Sequence, residues 1–496
     1  MTTLTQAQFA YPGTAWDCAY ASSGTANAVA DFAGRDPGIA AVAGYLAIQQ
    51  ALSAIDRMEV RGRDSAGIHV LVWGHGLDLA DPSVAAAIAQ RNTDPLFQSG
   101  SVRVAGQQLG FVYKAAAEIG ELGDNVKALR AAVHADGLLR LALAQPGARV
   151  SVLGHTRWAS VGIISEPNCH PVNGEQAELT GEQVAAQPPY TVAVLNGDVD
   201  NHADIKVNHG LRIAGPITTD AKVIPAVMAL HAAHTELGEA FRRTVAEFEG
   251  SVAIGAMSAD SPDHVFLALR GSGQALYVGL GDDMFVVASE PYGVVEETMH
   301  FVRMDGETVS PSGSRGQVFL LDGAQAGTLA GVRRLAYDGS ELPVDEREVV
   351  TAQVTTRDID RGDAPHFLLK EIGEAPGSFR KTLRGKIVET AKGLRADVGE
   401  RSLPSAIAAR LSSGEITKVR VIGQGTAAVA GRSMAAVLDD LAGGTLDVDP
   451  ITATELSGFH LRLDMSDTLI VAVSQSGTTT DTNRTVDLAR GRGAAV

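Results

Sequence analysis

Between residue 149 and about residue 330 the chain is a succession of short apolar runs rich in β-branched residues: "ARVSVLG", "YTVAVLNG", "SVAIGAMSA", "HVFLALR", "ALYVGLG", "MFVVAS", "HFVRM" and "QVFLL". Two helical stretches, near 221–234 and 236–248, are all that interrupt them. Strands with so few helices between them pair antiparallel, because a parallel neighbour needs a long crossover. From about residue 400 the order changes. Strand "KVRVIG", glycine turn and helix "QGTAAVAGRSMAAVLDDLA", strands "GTLDVDP" and "DTLIVAVS", then turn and helix "QSGTTTDTNRTVDLARG" alternate as βαβ units do. The chain stops at "GAAV" as a further strand begins, so this second, parallel sheet is expected to be cut short.

Upstream, "GYLAIQQALSAIDRMEV" sets Tyr45, Ile48, Leu52 and Ile55 at helical spacing, "RGRDSAG" breaks the helix, and "IHVLVW" reads as a strand. Residues 1–38 are small, polar and weakly periodic, which predicts a connector or poorly ordered segment. Residues 74–110 read as an insertion punctuated by Gly, Asp and Pro, and "DNVKALRAAVHADGLLRLALA" as a second amphipathic helix. A folded unit is expected over 39–345, a linker over 346–400 with a helix interrupted at Pro376, and another unit over 401–496. A length of 496 residues, at ~150 per domain, suits that division.

Charge excludes some partners. Lys and Arg number 41 against 58 Asp and Glu, a net charge of −17, and no basic run or aromatic-interleaved basic stripe occurs, so no nucleic acid is expected. No stretch approaches ~18 consecutive apolar residues, so no membrane span is expected, and the N-terminus lacks the basic and apolar regions of a signal peptide. Cys18 and Cys169 form neither a disulfide framework nor a CxxC pair, which fits a reducing cytoplasm. No His/Cys/Asp cluster has ligand spacing, so no metal or redox cofactor is expected.

The strand ends and turns carry what a glutamine amide donor needs. An α-carboxylate pairs bidentately with a guanidinium, and Arg157 in "GHTRWASVGIISEPNCHPV" offers one. An α-ammonium needs a carboxylate, which Asp220 in "ITTDAKVI" supplies. A carbonyl under attack needs two donors, which Asn196 and Gly197 in "AVLNGDVDN" supply as a side-chain NH₂ and a backbone N–H. Each has a plainer reading. Asn-Gly makes hairpin turns, Thr-Thr-Asp before a helix makes an N-cap, and Thr-Arg-Trp alone marks a surface or a core.

The order of these motifs, with "LSAIDRMEVRGRDSAGI" before them and "FEGSVAIGAMS", "LALRGSGQALYVGLGDDMFVVASE" and "HFLLKEIGEAPGSFRKTLRGKI" after, resembles the glutamine–fructose-6-phosphate aminotransferase (isomerizing) family. The resemblance runs from about residue 40 to the end, apart from the insertion. It implies a class II glutamine amidotransferase domain, an α+β four-layer sandwich of the N-terminal-nucleophile (Ntn) hydrolase type. Arg157 and Asp220 would hold glutamine there, Asn196 and Gly197 would form the oxyanion hole, and Trp158 would stand beside the pocket, where the family's tryptophan gates an ammonia passage. Val161 stands where the family usually has a histidine, and that polar contact is lost.

The family's attacking group is an N-terminal cysteine in a Cys-Gly-Ile strand, exposed by removal of Met and helped by its own amine. This sequence begins "MTTLTQ". Cys18 lies inside the chain without a free amine, and Cys169 aligns with a position that is not the nucleophile. Thr2 has flanks unlike the required core strand. The expectation is a cysteine upstream of Met1 in a longer parent and no glutaminase activity in this chain alone.

"AVSQSGTTTDT" ends a strand and opens a helix with a run of hydroxyls. Free N–H groups at a helix N-terminus, with Ser474, Ser476 and Thr479 as further donors, suit a phosphate dianion without a cation; an ordinary N-cap is the alternative. "GQGTAAVAG" is a second such turn, with Thr426 as a ligand and without a dinucleotide fingerprint. Both resemble the SIS (sugar isomerase) domain of the same family, here a partial α/β parallel-sheet domain, whose loop matches Ser474, Gln475, Ser476 and Thr479. The family's Cys-Gly-Thr-Ser reads Gln424, Gly425, Thr426, Ala427 here, one hydroxyl fewer. The implied partners are glutamine and a sugar phosphate, with fructose 6-phosphate the implied acceptor, and a homo-oligomer is implied for the intact parent. Two alternatives stand beside this reading: a catalytically inactive glutamine- or sugar-phosphate-binding module, and an amidotransferase for a phosphoribosyl or aspartyl acceptor. "SQSGTTTDT" disfavours the latter.

Overall fold

The computed structural model describes residues 2–5, 21–59, 62–116, 121–159, 161–178, 188–271, 274–352, 364–391, 393–400, 402–474 and 479–496. The chain divides into two compact units, Met1–Ile359 and Asp360–Val496.

In the first unit a nine-stranded sheet runs β15 (Val349–Thr351), β12 (His300–Arg303), β10 (Tyr277–Leu280), β11 (Met284–Ala288), β1 (Thr2–Thr5), β5 (Arg149–Arg157), β2 (Ser65–Trp73), β4 (Gln108–Ala115) and β3 (Val102–Ala105). A six-stranded sheet runs β14 (Val332–Ala336), β13 (Gln317–Asp322), β9 (Ser261–Arg270), β8 (Val252–Ser258), β7 (Thr191–Gly197) and β6 (Val172–Asn173). Every described neighbour in both sheets is antiparallel, as the run of strands predicts.

Alternation along each strand decides the layers. Leu71 and Leu153 of the first sheet meet Val192, Leu267 and Phe319 of the second in a shared inner core. The opposite residues of the first sheet, Val70, Val72, Val150 and Val152, pack under α1 (Ala21–Ala33), α2 (Ile39–Met58), α3 (Pro82–Ala89), α4 (Asp124–Ala135) and α5 (Gly137–Leu143). Those of the second sheet, Ile254, Phe266 and Val318, pack under α6 (His202–Asn208), α7 (Val223–Ala232) and α8 (Leu237–Ala246). The result is helix, sheet, sheet, helix. Both faces of each sheet are covered, which is why the strands read as nearly continuous apolar runs. Helix α2 is long and apolar enough to cross a membrane, but 67% of its most apolar window is buried inside the protein as core.

Four expectations change. Residues 1–38 supply β1, hydrogen-bonded between β11 and β5 with Thr2 opposite Val287 and Leu153, and α1, whose Val29 and Phe32 enter the core. The "TTLT" segment therefore runs as a central strand although its sequence looks unlike one. The single helix expected after residue 123 is two, because Asp136 leaves the helical region and caps α5 by accepting from Leu138 N and Leu139 N. The first unit runs past residue 345, because β15 pairs with β12. Finally, α9 (Phe367–Leu383) passes unbroken through Pro376; a proline removes one donor, and the turns on either side carry the helix.

In the second unit, β19 (Asp447–Thr452), β18 (Lys418–Gly423) and β20 (Thr468–Ala472) form a parallel sheet in that order. Helices α10 (Ser405–Ser412), α11 (Thr426–Ala442) and α12 (Thr480–Arg490) accompany it. One apolar cluster joins Val419 and Val421 to Ala435, the other Ile422 and Ile470 to Ala489, so both faces are packed. A hairpin, β16 (Ile387–Thr390) and β17 (Gly393–Ala396), lies apart from this sheet.

Candidate functional site

Strand β5 ends in His155, Thr156 and Arg157, and a broken segment packs beside that end. Asp64 N donates to Arg157 O at 3.1 Å, Ala159 N donates to Asp64 Oδ2 at 2.8 Å, and Thr156 Oγ1 donates to Gly62 O. A Cβ on Gly62 would stand 2.8 Å from the Arg157 carbonyl carbon, so the glycine of "RGRDSAG" permits this close approach. The Arg157 side chain is buried, and donates through Nη2 to Val161 O and through Nη1 to Ile163 O at 3.5 Å. Three of its five N–H donors remain for a ligand. Burial lowers its pKa, and the nearby Cys169, Asp220 and Asp64 oppose that shift.

Asp220 opens the turn before α7. Its Oδ2 accepts the Val199 N–H at 2.8 Å, two residues beyond Gly197, and its Oδ1 accepts from Thr219 Oγ1 at 3.4 Å. Burial raises the carboxyl's pKa and the Val199 amide opposes it. The turn is clamped by the buried Asn168 amide: Oδ1 accepts from Thr218 N at 2.7 Å and Thr219 N at 2.9 Å, and Nδ2 donates to Pro216 O at 3.1 Å. The Thr219 hydroxyl makes no cap. It lies 3.1 Å from His170 Nε2, while His170 Nδ1 accepts from Leu195 N at 3.4 Å. That acceptance fixes the tautomer, giving a relay His170 Nε2–H to Thr219 hydroxyl to Asp220. The His155 and His170 rings lie 4.6 Å apart. Burial pushes His155 down to about 3 and His170 well below the ordinary histidine value, so both are neutral.

Asn196 and Gly197 close β7 and lead into α6, not into a hairpin. Gly197 has φ +113°, and a Cβ there would overlap the Ser251 carbonyl oxygen, which accepts from Asp198 N at 3.1 Å. Asn196 is exposed, and Trp158 faces solvent at 75% exposure. The structure thus ties Asp220 to the turn after Asn196–Gly197 through Val199 N and sets the Arg157 charge within electrostatic reach of Asp220. Asn168, His170 and Thr219 hold the Asp220 turn and Asp64 holds the backbone beside Arg157, roles that no motif signals. Their only sequence signal is proximity to "TRW", "NCHP" and "TTD".

Cys18 lies outside the described residues. Cys169 is fully buried, its Sγ 3.4 Å from His170 O, and burial pushes its thiol up, the wrong direction for a nucleophile. Close by, Lys114 is buried with Nζ 5.1 Å from the Phe97 ring centroid, and burial brings it down to about 8.

In the second unit, β18 ends at Gly423 and turns through Gly425, at φ +55°, into α11, which Thr426 begins. Neighbouring β20 ends at Ala472 and is followed by Ser474, whose Oγ lies 3.5 Å from Thr479 Oγ1. Thr479 precedes α12 without a side-chain cap bond. Gln475 and Ser476 lie outside the described residues. The chain leaves β18 towards β19 on one side and returns to β20 on the other. The carboxyl ends of β18 and β20 therefore flank a topological switch point, where open α/β sheets bind ligands.

No protein-family model matches the chain. Curated proteins do. Glutamine–fructose-6-phosphate aminotransferase [isomerizing] of Oceanobacillus iheyensis is 29% identical over 331 residues, 66% of this chain and 48% of that protein. The protein of the same name from Symbiobacterium thermophilum is 31% identical over 360 residues, 71% of this chain and 50% of that one. Two solved structures align with 90% of the chain at 13% and 14% identity: the glutamine phosphoribosylpyrophosphate amidotransferase of B. subtilis with ADP and GMP, and an allosteric regulatory enzyme of purine biosynthesis. Their TM-scores of 0.35 and 0.36 are too low to bear on fold or function. The chain spans about half the length of the curated relatives it matches. Over some two thirds of its own length it is similar in sequence to the glutamine–fructose-6-phosphate aminotransferases (isomerizing).

Proposed function

We propose that the first unit is a class II glutamine amidotransferase domain of the Ntn-hydrolase type and that the second is part of a SIS domain holding a sugar phosphate. Together they belong to an enzyme making glucosamine 6-phosphate from fructose 6-phosphate and glutamine. The observation that carries this reading is the Asp220 carboxylate, which bonds the Val199 amide just beyond the Asn196–Gly197 turn and also acts on the buried Arg157 charge.

In this reading the free N–H groups of Arg157 take the glutamine α-carboxylate and Asp220 takes the α-ammonium. Asn196 Nδ2 and Gly197 N–H face the oxyanion formed on attack at the amide carbon. Collapse expels ammonia, and water then releases glutamate. Ammonia adds to the keto carbon of the sugar phosphate, water leaves to give the imine, and isomerisation of that imine gives the aldose amine. The nucleophile is unassigned. The phosphate sits at the start of α12 with Ser474 and Thr479 as donors and Thr426 at the neighbouring turn; Gln475 and Ser476 are assigned to it from the sequence motif alone.

Calorimetry with glutamine, paired with an assay of glutamate release, tests the first site. Arg157→Ala is expected to weaken glutamine binding ~10- to 100-fold, since charge-assisted hydrogen bonds contribute ~1.5–3 kcal/mol. An unchanged affinity in a folded Arg157→Ala protein refutes the assignment. Glutamine bound without glutamate release identifies the alternative, a non-catalytic binding module. For the second site, replacing both Ser474 and Thr479 by alanine is expected to weaken fructose 6-phosphate binding about 10-fold and leave glutamine binding unchanged. Equal sugar-phosphate affinity in that double variant rules the site out.

A further inference from the structure

Sequence spacing shows no metal cluster, yet three helix ends bring one together. His209 follows α6, His231 lies in the last turn of α7, and Glu247 follows α8. His209 Nε2 lies 2.6 Å from Glu247 Oε2, and His231 Nε2 lies 2.7 Å from Glu247 Oε1. The two imidazoles meet edge to face, 5.7 Å between centroids, and the donor atoms of all three residues lie within 4.8 Å of one another. Residues 22 and 16 apart escape any ligand-spacing motif, and only the packing of α6, α7 and α8 joins them.

We propose that His209, His231 and Glu247 bind a divalent transition metal of Zn²⁺ character. Two imidazoles and one carboxylate are a ligand set that Zn²⁺ takes, with bonds of ~2.0–2.2 Å and a fourth position left to water. Tetrahedral ligands at that bond length stand about 3.3 Å apart; each imidazole nitrogen has to draw back from its carboxylate oxygen by well under 1 Å, and no two donor atoms stand more than 4.8 Å apart. The site is partly exposed, the three side chains being 21%, 24% and 33% accessible, which leaves an entry path and room for water. A second, independent feature favours a cation. Helices α7 and α8, ten residues each, and the shorter α6 all direct their C-terminal, negative ends at this place. The ligand backbones are held as well: His209 N donates to Ile205 O at 3.1 Å, Asn201 Nδ2 to Glu247 O at 2.9 Å, and Thr235 Oγ1 to His231 O at 2.9 Å.

The metal clips together the outer helices of the second sheet. Helix α6 begins shortly after the Asn196–Gly197 turn and α7 follows Asp220, so the clip anchors the far ends of both segments, whichever ligand the pocket takes.

The test is Zn²⁺ alone, titrated into the full chain after chelator treatment, with Co²⁺ as a spectroscopic probe. One equivalent is expected to bind, to survive gel filtration, to raise the Tm and to give the strong ligand-field absorption of low-coordinate Co²⁺. His209→Ala and His231→Ala are each expected to weaken binding at least about 100-fold, since losing a group that merely orients a ligand already costs ~10–100-fold. Asp263, His264 and Asp322 form the other group of suitable composition among the described residues, and His264→Ala is expected to change nothing. Glu247→Gln, close in shape, guards against misfolding as the cause of loss. No binding by the unaltered chain, binding that His209→Ala and His231→Ala leave intact, or binding lost only in His264→Ala overturns the proposal.

Discussion

Lowering the pH from about 7 to about 5 is expected to shift the urea midpoint of this protein sharply downward. His69 and His170 are buried, and His155 is partly so. Burial, assisted by Lys114 for His69, pushes His69 and His155 down to about 3, and burial with the nearby Arg157 charge takes His170 well below its ordinary value. The folded pKa values lie below the unfolded value of 6.5, so the unfolded chain takes up protons that the folded chain refuses. Stability contributed this way is present above 6.5 and is lost as the pH falls towards 3. Each histidine gives a slope of ~1.4 kcal/mol per pH unit, so three give about 4, and His155 contributes less because it is partly exposed. Against a typical ~5–15 kcal/mol of total stability, two or three units suffice to unfold the chain. Lys222, hydrogen-bonded to Asn173 O and Oδ1, and Lys114 carry the same sign, since burial brings them to about 7 and about 8. Their contribution grows as the pH rises above neutrality. Glu59, Asp220 and Glu297, raised by burial, act oppositely, adding stability as the pH falls through their raised values towards the ordinary carboxylate range. Relief of the −17 net charge on acidification also offsets part of the loss. A urea midpoint that holds steady across this interval contradicts the assignment of three neutral buried imidazoles.

Gly197→Ala is expected to be among the most damaging single substitutions in the first unit, at about 3 kcal/mol or more. Two costs add. At φ +113° an L side chain is strained by ~1–3 kcal/mol. The new Cβ would also run into the Ser251 carbonyl oxygen, and relieving that overlap costs a further ~1–3 kcal/mol. Relief is hard because the partner segment is interlocked: Asp200 N donates to Glu249 O at 3.0 Å, and Gly250, at φ +108°, could not carry a Cβ past Asp198 O either. Gly210 is the control, with φ +59° and nothing within 4 Å of an added Cβ, so Gly210→Ala isolates the backbone cost. Urea unfolding of the two variants measures the difference. Equal losses would mean that the strand crossing yields easily. Where Gly197→Ala still folds, its displaced turn is expected to abolish glutamine turnover in any parent enzyme that uses Gly197 N–H as an oxyanion donor.

The groups of the candidate pocket were legible because each sits in a local signal. Arg157 ends an apolar run, Asn-Gly ends another, and Thr-Thr-Asp opens a helix. What those signals do not carry is the partner of each group. Thr219 reads as a cap and spends its hydroxyl between His170 and Asp220. Cys169, beside His170 in the sequence, is sealed in the core. The metal-type cluster escaped motif reading because its members close three separate helices.

Short apolar runs, glycine turns and strand spacing were enough to specify antiparallel pairing followed by a parallel sheet, since those signals act over a few residues. The role of "TTLT" was different. Four residues without an apolar pattern become a central strand because β11 and β5 leave a row of backbone donors and acceptors between them, and any extended segment that reaches it satisfies those bonds. The same holds for the relay from His170 to Asp220 and for the joining of His209, His231 and Glu247. Hydrogen bonds and charge pairs depend on distance in space, which the chain sets only when its layers pack.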